Sequence, residues 1–218
     1  MQILYADNHI VVSVKPAGMV TESGQEVSLE DVVKVWAKEH YQKPGDIFIK
    51  PVHRLDKPAS GIVLFAKTSK ALTRLHAAFR ERKIEKTYLA LLEGNLVQEE
   101  GVLEDFLLKE DFRAKQSLDP SAKLAKLSYK VCARSLKHTL VQVHLHTGRY
   151  HQIRAQFSSR GHPIVGDQKY GSKDLLSGGQ IALHHAEISF FHPVSGQKMT
   201  FSAPSSLELL SLDIFLSL

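Results

Sequence analysis

The stretch Pro51-Val52-His53-Arg54-Leu55-Asp56-Lys57-Pro58-Ala59-Ser60-Gly61, running into Ile62-Val63-Leu64-Phe65-Ala66, decides how the chain is read. A histidine, an arginine and an aspartate stand close together between two prolines, ahead of an apolar run. The prolines fix their own φ and push Lys50 and Lys57 out of the helical region, so the segment is expected to be a stiff, extended loop. Gly61 permits a tight turn before the apolar residues, whose short run and β-branching predict a buried strand. Asp56 then sits at the strand's entry, half in the core. Burial without a partner would push its pKa above about 3.9, so Asp56 requires a cation. A protein-kinase catalytic loop is excluded: it needs an asparagine where Gly61 stands, and no glycine-rich phosphate loop precedes the segment.

The chain has 218 residues, enough for one sizeable core or two lobes sharing a sheet, and the expectation is a single domain over residues 1–218. Lys and Arg number 28 against 23 Asp and Glu, a net charge of +5 with a pI near 9.2, which favours a polyanionic partner. Cys132 is the only cysteine, which excludes an intrachain disulfide and a multi-cysteine zinc site. The first residues lack the basic-then-apolar layout of a signal peptide, and no apolar run approaches a membrane span. A cytoplasmic protein is expected.

Ile3-Leu4-Tyr5 and Ile10 to Val14, separated by Asp7-Asn8, predict a hairpin that ends at Lys15-Pro16-Ala17-Gly18. Leu29, Val32, Val33, Trp36 and Ala37 recur at helical spacing behind a Ser28 cap, with Trp36 on the apolar stripe. A second helix opens at Ser69 and runs to about Arg82, with Leu72, Leu75 and Phe79 inward and Lys70, Arg74, Arg80 and Arg82 outward. Arg74, with Lys83 and Lys86 just beyond, reads either as a solvated face or as a set of phosphate contacts. Ile84 to Leu92 is a strand carrying Tyr88. Residues 94–122 are charged and poorly periodic, and suggest short strands and a mobile loop. Leu124 to Cys132 and Thr139 to His146 alternate as strands, with His144 and His146 on one face. The His pair has no cysteine cluster and no defined third ligand beside it, so no metal is expected. Thr147 to Arg154 is expected to start a helix, on which Arg149 and Arg154 would stand about 140° apart while Tyr150 and Arg154 share a face. Ser206 to Leu216 predicts a short amphipathic helix.

Several of these segments, taken together and in order, resemble the RluA branch of the pseudouridine synthases. His53-Arg54-Leu55-Asp56 through Ser60-Gly61 looks like that family's H-R-L-D-x-x-[ST]-S-G signature, and Lys15-Pro16-Ala17-Gly18 like its K-P-x-G turn. Lys86-Thr87-Tyr88-Leu89-Ala90 resembles K-x-Y-x-A, and Gly148 to Arg154 resembles G-R-x-H-Q-[IL]-R. Gly161 to Asp167 looks like H-P-[IL]-x-G-D, and Leu183-His184-His185-Ala186 like a later L-H-A strand; both are expected to frame the fold. The resemblance runs from about Ile3 to Pro204. Ala59 departs from it by removing a loop hydroxyl. With His53 so near the first residue, a stand-alone catalytic domain without the family's S4-type RNA-binding domain is expected.

The resemblance implies an α+β fold: a mixed, mainly antiparallel central sheet flanked by helices, with a cleft between two halves. It implies isomerisation of a uridine in tRNA or rRNA to pseudouridine, with no cofactor. In that reading Asp56 is the catalytic carboxylate, Arg154 its ion partner, and Tyr88 lies against the flipped base. Arg54, His53, Arg149, Arg74, Lys83 and Lys86 are the candidate RNA contacts. Structured RNA is the expected partner, the chain being a monomer with neither a membrane nor an obligate protein partner. Two rivals stand beside it: a catalytically inactive RNA-binding module or chaperone of the same fold, and a hydrolase using paired carboxylates.

Overall fold

The computed structural model describes residues 1–42 and 45–204, which form two compact units: Met1–Ile84 with Glu187–Ala203, and a second built on Glu85–Ala186. The helix expected over 206–216 lies outside the described residues.

In the first unit, Asp7 closes the N-terminal hairpin by accepting the backbone N–H groups of His9 (2.7 Å) and Ile10 (2.8 Å). Strand β1 (Gln2–Ala6) therefore pairs antiparallel with β2 (Ile10–Lys15). Strand β3 (Lys50–Pro51) and β4 (Ser60–Ala66) extend this layer, β4 lying antiparallel to both β2 and β3. The Pro51–Gly61 segment is thus loop only between two paired ends. Gly61 stands inside β4 at φ 118, opposite Lys15, rather than in a turn before the strand. That backbone angle is open to glycine because no Cβ is present to clash.

Helix α1 (Leu29–Tyr41) starts where the sequence predicts. Ser28 accepts from the Asp31 N–H, and the Asp31 side chain takes the Ser28 N–H in return, a reciprocal capping box. Leu29, Val33 and Ala37 form the buried stripe, while Trp36 sits on its shoulder, stacked on His40 at 4.9 Å. Glu30 is also buried: its carboxylate meets Lys34 at 2.6 Å and Lys50, the first residue of β3, at 2.8 Å. Helix α2 (Ser69–Arg80) opens at Ser69 as expected, behind a Thr68 cap, ends two residues short of Arg82, and packs Ala71 and Leu75 onto Ile10, Val12, Ile62 and Leu64.

The second unit is an antiparallel run. Strand β5 (Glu85–Glu93) pairs with β9 (His138–Leu145), and β9 pairs with β8 (Lys123–Arg134). Strand β8 pairs with β6 (Glu100–Glu110), and β6 with β7 (Arg113–Gln116). The region expected to be short strands and a mobile loop therefore holds a strand of 11 residues. Its pattern was hidden because Leu103 and Leu107 are its only buried positions, and a spacing of four fits a helix as well as a strand. Strand β10 (Leu183–Phe191) passes from the second unit into the first, where its part beyond Glu187 pairs with β11 (Lys198–Ser202). Helix α3 (Gln152–Ser158) completes the second unit and is buried over most of its length. No described helix is long and apolar enough to cross a membrane.

Burial alone would raise the Glu30 pKa, but hydrogen bonds from Lys34 and Lys50 hold it below the usual carboxylate value. Its contribution is therefore present above the unfolded pKa of about 4.3 and lost as pH falls through the lower folded value. Glu30→Gln should cost about 1–2 kcal/mol at pH 7 and nearly nothing at pH 2, measured by urea unfolding of both proteins at each pH.

Candidate active site

Asp56 is half-buried on its loop, and the backbone on either side of it is locked. Thr21 Oγ1 accepts the Leu55 N–H and donates to the Leu55 carbonyl, both at 3.1 Å. On the other flank the Lys57 carbonyl accepts the Gly18 N–H at 2.8 Å and the Lys15 ammonium at 3.2 Å. The Asp56 carbonyl itself accepts from Ala59 N–H at 3.1 Å, closing a turn. His53 holds the entrance: its Nε2 accepts the Leu64 N–H at 3.2 Å, and its ring packs on Phe79.

Lys15 was read from sequence only as the end of a strand, yet its side chain is fully buried. Its ammonium donates to the carbonyls of Pro16 (3.0 Å), Met19 (2.8 Å) and Lys57 (3.2 Å). Three acceptors match the three N–H bonds of a charged ammonium, whereas a neutral amine would leave one carbonyl unpaired. Burial lowers the Lys15 pKa to about 8 against the attraction of the nearby Asp56 charge, so the group is a cation at neutral pH. A cation thus faces Asp56 from within the first unit. No periodic signal could have marked it, because its partners are backbone oxygens brought in by two turns.

In the second unit Arg154 is 4% exposed and grips Asp167 in a bidentate pair, Nε to Oδ2 at 2.6 Å and Nη2 to Oδ1 at 2.9 Å. The guanidinium also lies over the Tyr170 ring, 4.9 Å from its centroid. Asp167, expected only to frame a turn, is the buried counter-ion that fixes the arginine's plane. The helix expected from Thr147 starts at Gln152 instead, since His151 takes a left-handed φ of 48 and Gln152 Oε1 caps Thr147 and the Arg149 N–H. Arg149 and Tyr150 therefore precede the helix, and the angular relation expected between them and Arg154 does not hold. Tyr88 is buried on β5 with its ring stacked on His185, centroids 4.4 Å apart and planes 16° from parallel. His185, which the sequence reading assigned to the frame, thus sets the orientation of Tyr88.

The candidate RNA contacts are dispersed. Arg54 is exposed and pairs with Glu22 at 3.1 Å, and Lys83 with Glu81 at 2.6 Å, both solvated pairs that a phosphate could displace at small cost. Arg74 donates to the Pro193 carbonyl at 2.6 Å, and Arg149 Nε to the Leu124 carbonyl at 2.8 Å. Lys86 differs from all of these: it is half-buried beside Gly148, and burial lowers its pKa to about 8. His144 and His146 bond to Thr87 and Ser128, and no group of three metal-binding side chains occurs among the described residues.

A lysine whose folded pKa lies below its free value of about 10.4 weighs on the fold while charged and is relieved as pH rises. Lys86→Met should therefore be more stable than the parent by roughly 2 kcal/mol at pH 7, with the gain shrinking toward zero by pH 10. Urea unfolding of the two proteins from pH 6 to 10 measures this; a pH-independent difference would contradict it.

Comparison with known proteins places this geometry. The sequence model of the family described as RNA pseudouridylate synthase matches residues 9–159. The ribosomal large subunit pseudouridine synthase C of Buchnera aphidicola (subsp. Schizaphis graminum) is 34% identical over 214 residues, 93% of this chain and 66% of that protein. The dual-specificity RNA pseudouridine synthase RluA of Haemophilus influenzae is 34% identical over 209 residues, 94% of this chain and 93% of that protein. The human RNA Pseudouridylate Synthase Domain Containing 4 structure shares the fold, with a TM-score of 0.83 at 22% identity over 99% of this chain and 93% of that one. The chain spans about two thirds of the length of the synthase C relatives. With the matched segment running across the Asp56 loop, Tyr88 and Arg154, the chain belongs to the RNA pseudouridylate synthase family.

Proposed function

We propose that this protein isomerises uridines in tRNA or rRNA to pseudouridine, with Asp56 as the catalytic carboxylate, Arg154 as its ion partner and Tyr88 against the flipped base. The observation that carries this reading is the lock on the backbone of Leu55 and Lys57, which fixes the residue between them against a buried cation. Catalysis by a positioned carboxylate requires that fixation, since a loosely held group loses most of its effective concentration. Arg154 supports the reading too. Asp167 holds the guanidinium by its Nε and Nη2, which fixes the plane in which a second carboxylate would be met.

In the reaction the N1–C1′ bond breaks, the uracil turns, a C5–C1′ bond forms, and the C5 proton is lost while N1 gains one. No oxidant or reductant is needed. The uridine must first leave its stack, so the substrate is an unpaired or flipped nucleotide. Asp56 acts at the ribose or the uracil ring, either as a covalent nucleophile or as the base that removes the ribose 2′ proton. Deuterium at C2′ slows only the second route by a primary isotope effect. Tyr88, held by His185, supplies the ring against the base. The protein acts in the cytoplasm, without a cofactor.

Asp56→Asn should reduce pseudouridine formation below detection while changing RNA affinity less than twofold, read by tritium release from C5-labelled RNA and by filter binding. Normal turnover by that variant would remove the mechanism. Affinity for RNA should fall steeply between 50 and 200 mM salt, by at least about tenfold if several phosphates are neutralised. A flat salt response would show that the positive charge of the chain is not used on phosphates.

A further inference from the structure

The hairpin β6–β7 breaks a local rule at its tip. Glu110 pairs with Arg113 across a turn of Asp111 and Phe112, and both turn residues have positive φ, 45 and 58. A two-residue hairpin turn with positive φ at both positions is the type that favours Asn-Gly or Asp-Gly. Phenylalanine at the second position is strained, because a bulky side chain at positive φ crowds its own backbone. The strain is not offset by burial, since Phe112 is 75% exposed.

The tip is nonetheless held firmly. The Phe112 carbonyl accepts the Tyr150 hydroxyl at 3.3 Å, and the Ala114 N–H donates to the Tyr170 hydroxyl at 2.7 Å. Tyr170 is the ring that lies against Arg154, and its hydroxyl also bonds His151 at 2.9 Å. The exposed phenyl ring is therefore displayed at a fixed place relative to the arginine of the candidate site. Lys109 stands over the Tyr150 ring, and Lys115 pairs with Glu110. The Arg113 side chain, exposed and next to Phe112, has no hydrogen-bond or ion-pair partner among the described residues. Lys109, Arg113 and Lys115 oppose Glu110 and Asp111, three charges against two, with one acid already neutralised by Lys115.

We propose that the tip of this hairpin is an RNA-contacting element in which Phe112 stacks on an unpaired base and Arg113 meets the adjacent phosphate. The proposal rests on RNA being the substrate. An exposed, rigidly presented aromatic beside a free guanidinium is the arrangement that grips unstacked nucleotides without reading their sequence. Local strain kept at a solvent-exposed position, where glycine would relieve it, marks a residue retained for what it binds.

Phe112→Gly separates the two roles because they predict opposite signs. Its melting temperature should rise by roughly 2 °C as the turn relaxes. Its affinity for a stem-loop RNA with an unpaired uridine-rich loop should fall at least about fivefold. Phe112→Trp should bind within about twofold of the parent, and its added fluorescence over the Trp36 background should be quenched by that RNA. Unchanged affinity and KM in Phe112→Gly, in a preparation whose parent forms pseudouridine, would overturn the proposal, as would a fall in melting temperature with no loss of binding. Absence of pseudouridine in every RNA tried with the parent would instead count against the reaction, while quenching of Trp at position 112 would still report the contact.

Discussion

A single ammonium holds together the part of the first unit that carries Asp56. Lys15 is surrounded by three carbonyl oxygens, two from the turn that follows β2 and one from the residue after Asp56. Burying a charge is unfavourable unless every N–H is used, and here each is. The arrangement ties the Lys-Pro-Ala-Gly turn to the Pro51–Gly61 segment, so that neither can move without exposing unpaired polar groups. Thr21 adds a second tie on the other side of Asp56, using a hydroxyl as both donor and acceptor. Two pieces of chain far apart in sequence thereby act as one rigid mount for a carboxylate.

The second unit solves a similar problem in a different way. Arg154 is a buried cation held by a buried anion, and the pair is flat on an aromatic ring. Removing Asp167 would break a buried ion pair, a change of the kind that costs several kcal/mol, about 3–5. Tyr88 is fixed through ring stacking on His185 instead of through charge. Arg154 and Tyr88 are thus each oriented by a neighbour, Asp167 and His185, that the resemblance had assigned to the frame. That division of labour is common where a reacting group must be held still: one side chain acts, and another fixes its rotamer.

Much of the fold was legible because its signals are local. The Asp7-Asn8 turn, the Ser28 cap and the apolar spacing of α1 depend on residues within a few positions of one another, and each element begins within a residue or so of its expected place. The Asp56 loop was legible as a loop, and its family signature agreed with the later comparison. What sequence could not supply were the partners set by tertiary contact. Lys15 looks like any lysine at a strand end, since its acceptors are main-chain atoms. Asp167 lies 13 residues from Arg154, with no helical or strand period linking them. The start of α3 was displaced because a left-handed histidine and a glutamine cap, rather than a proline or glycine, end the preceding segment. Strand β6 was obscured because most of its side chains face solvent, which removes the alternation that marks a half-buried strand.

The shared carboxylate of Glu30 has a further implication. It joins the first turn of α1 to Lys50, the residue at which the chain enters β3 and then the Asp56 loop. Substitutions at either end of that link will not behave independently, because side chains in one ion-pair network couple by about 0.5–3 kcal/mol. A variant tolerated in the helix on one background can therefore be harmful on another that differs only at position 50. The apparently remote helix and the Asp56 loop should evolve, and should be engineered, as an epistatic pair.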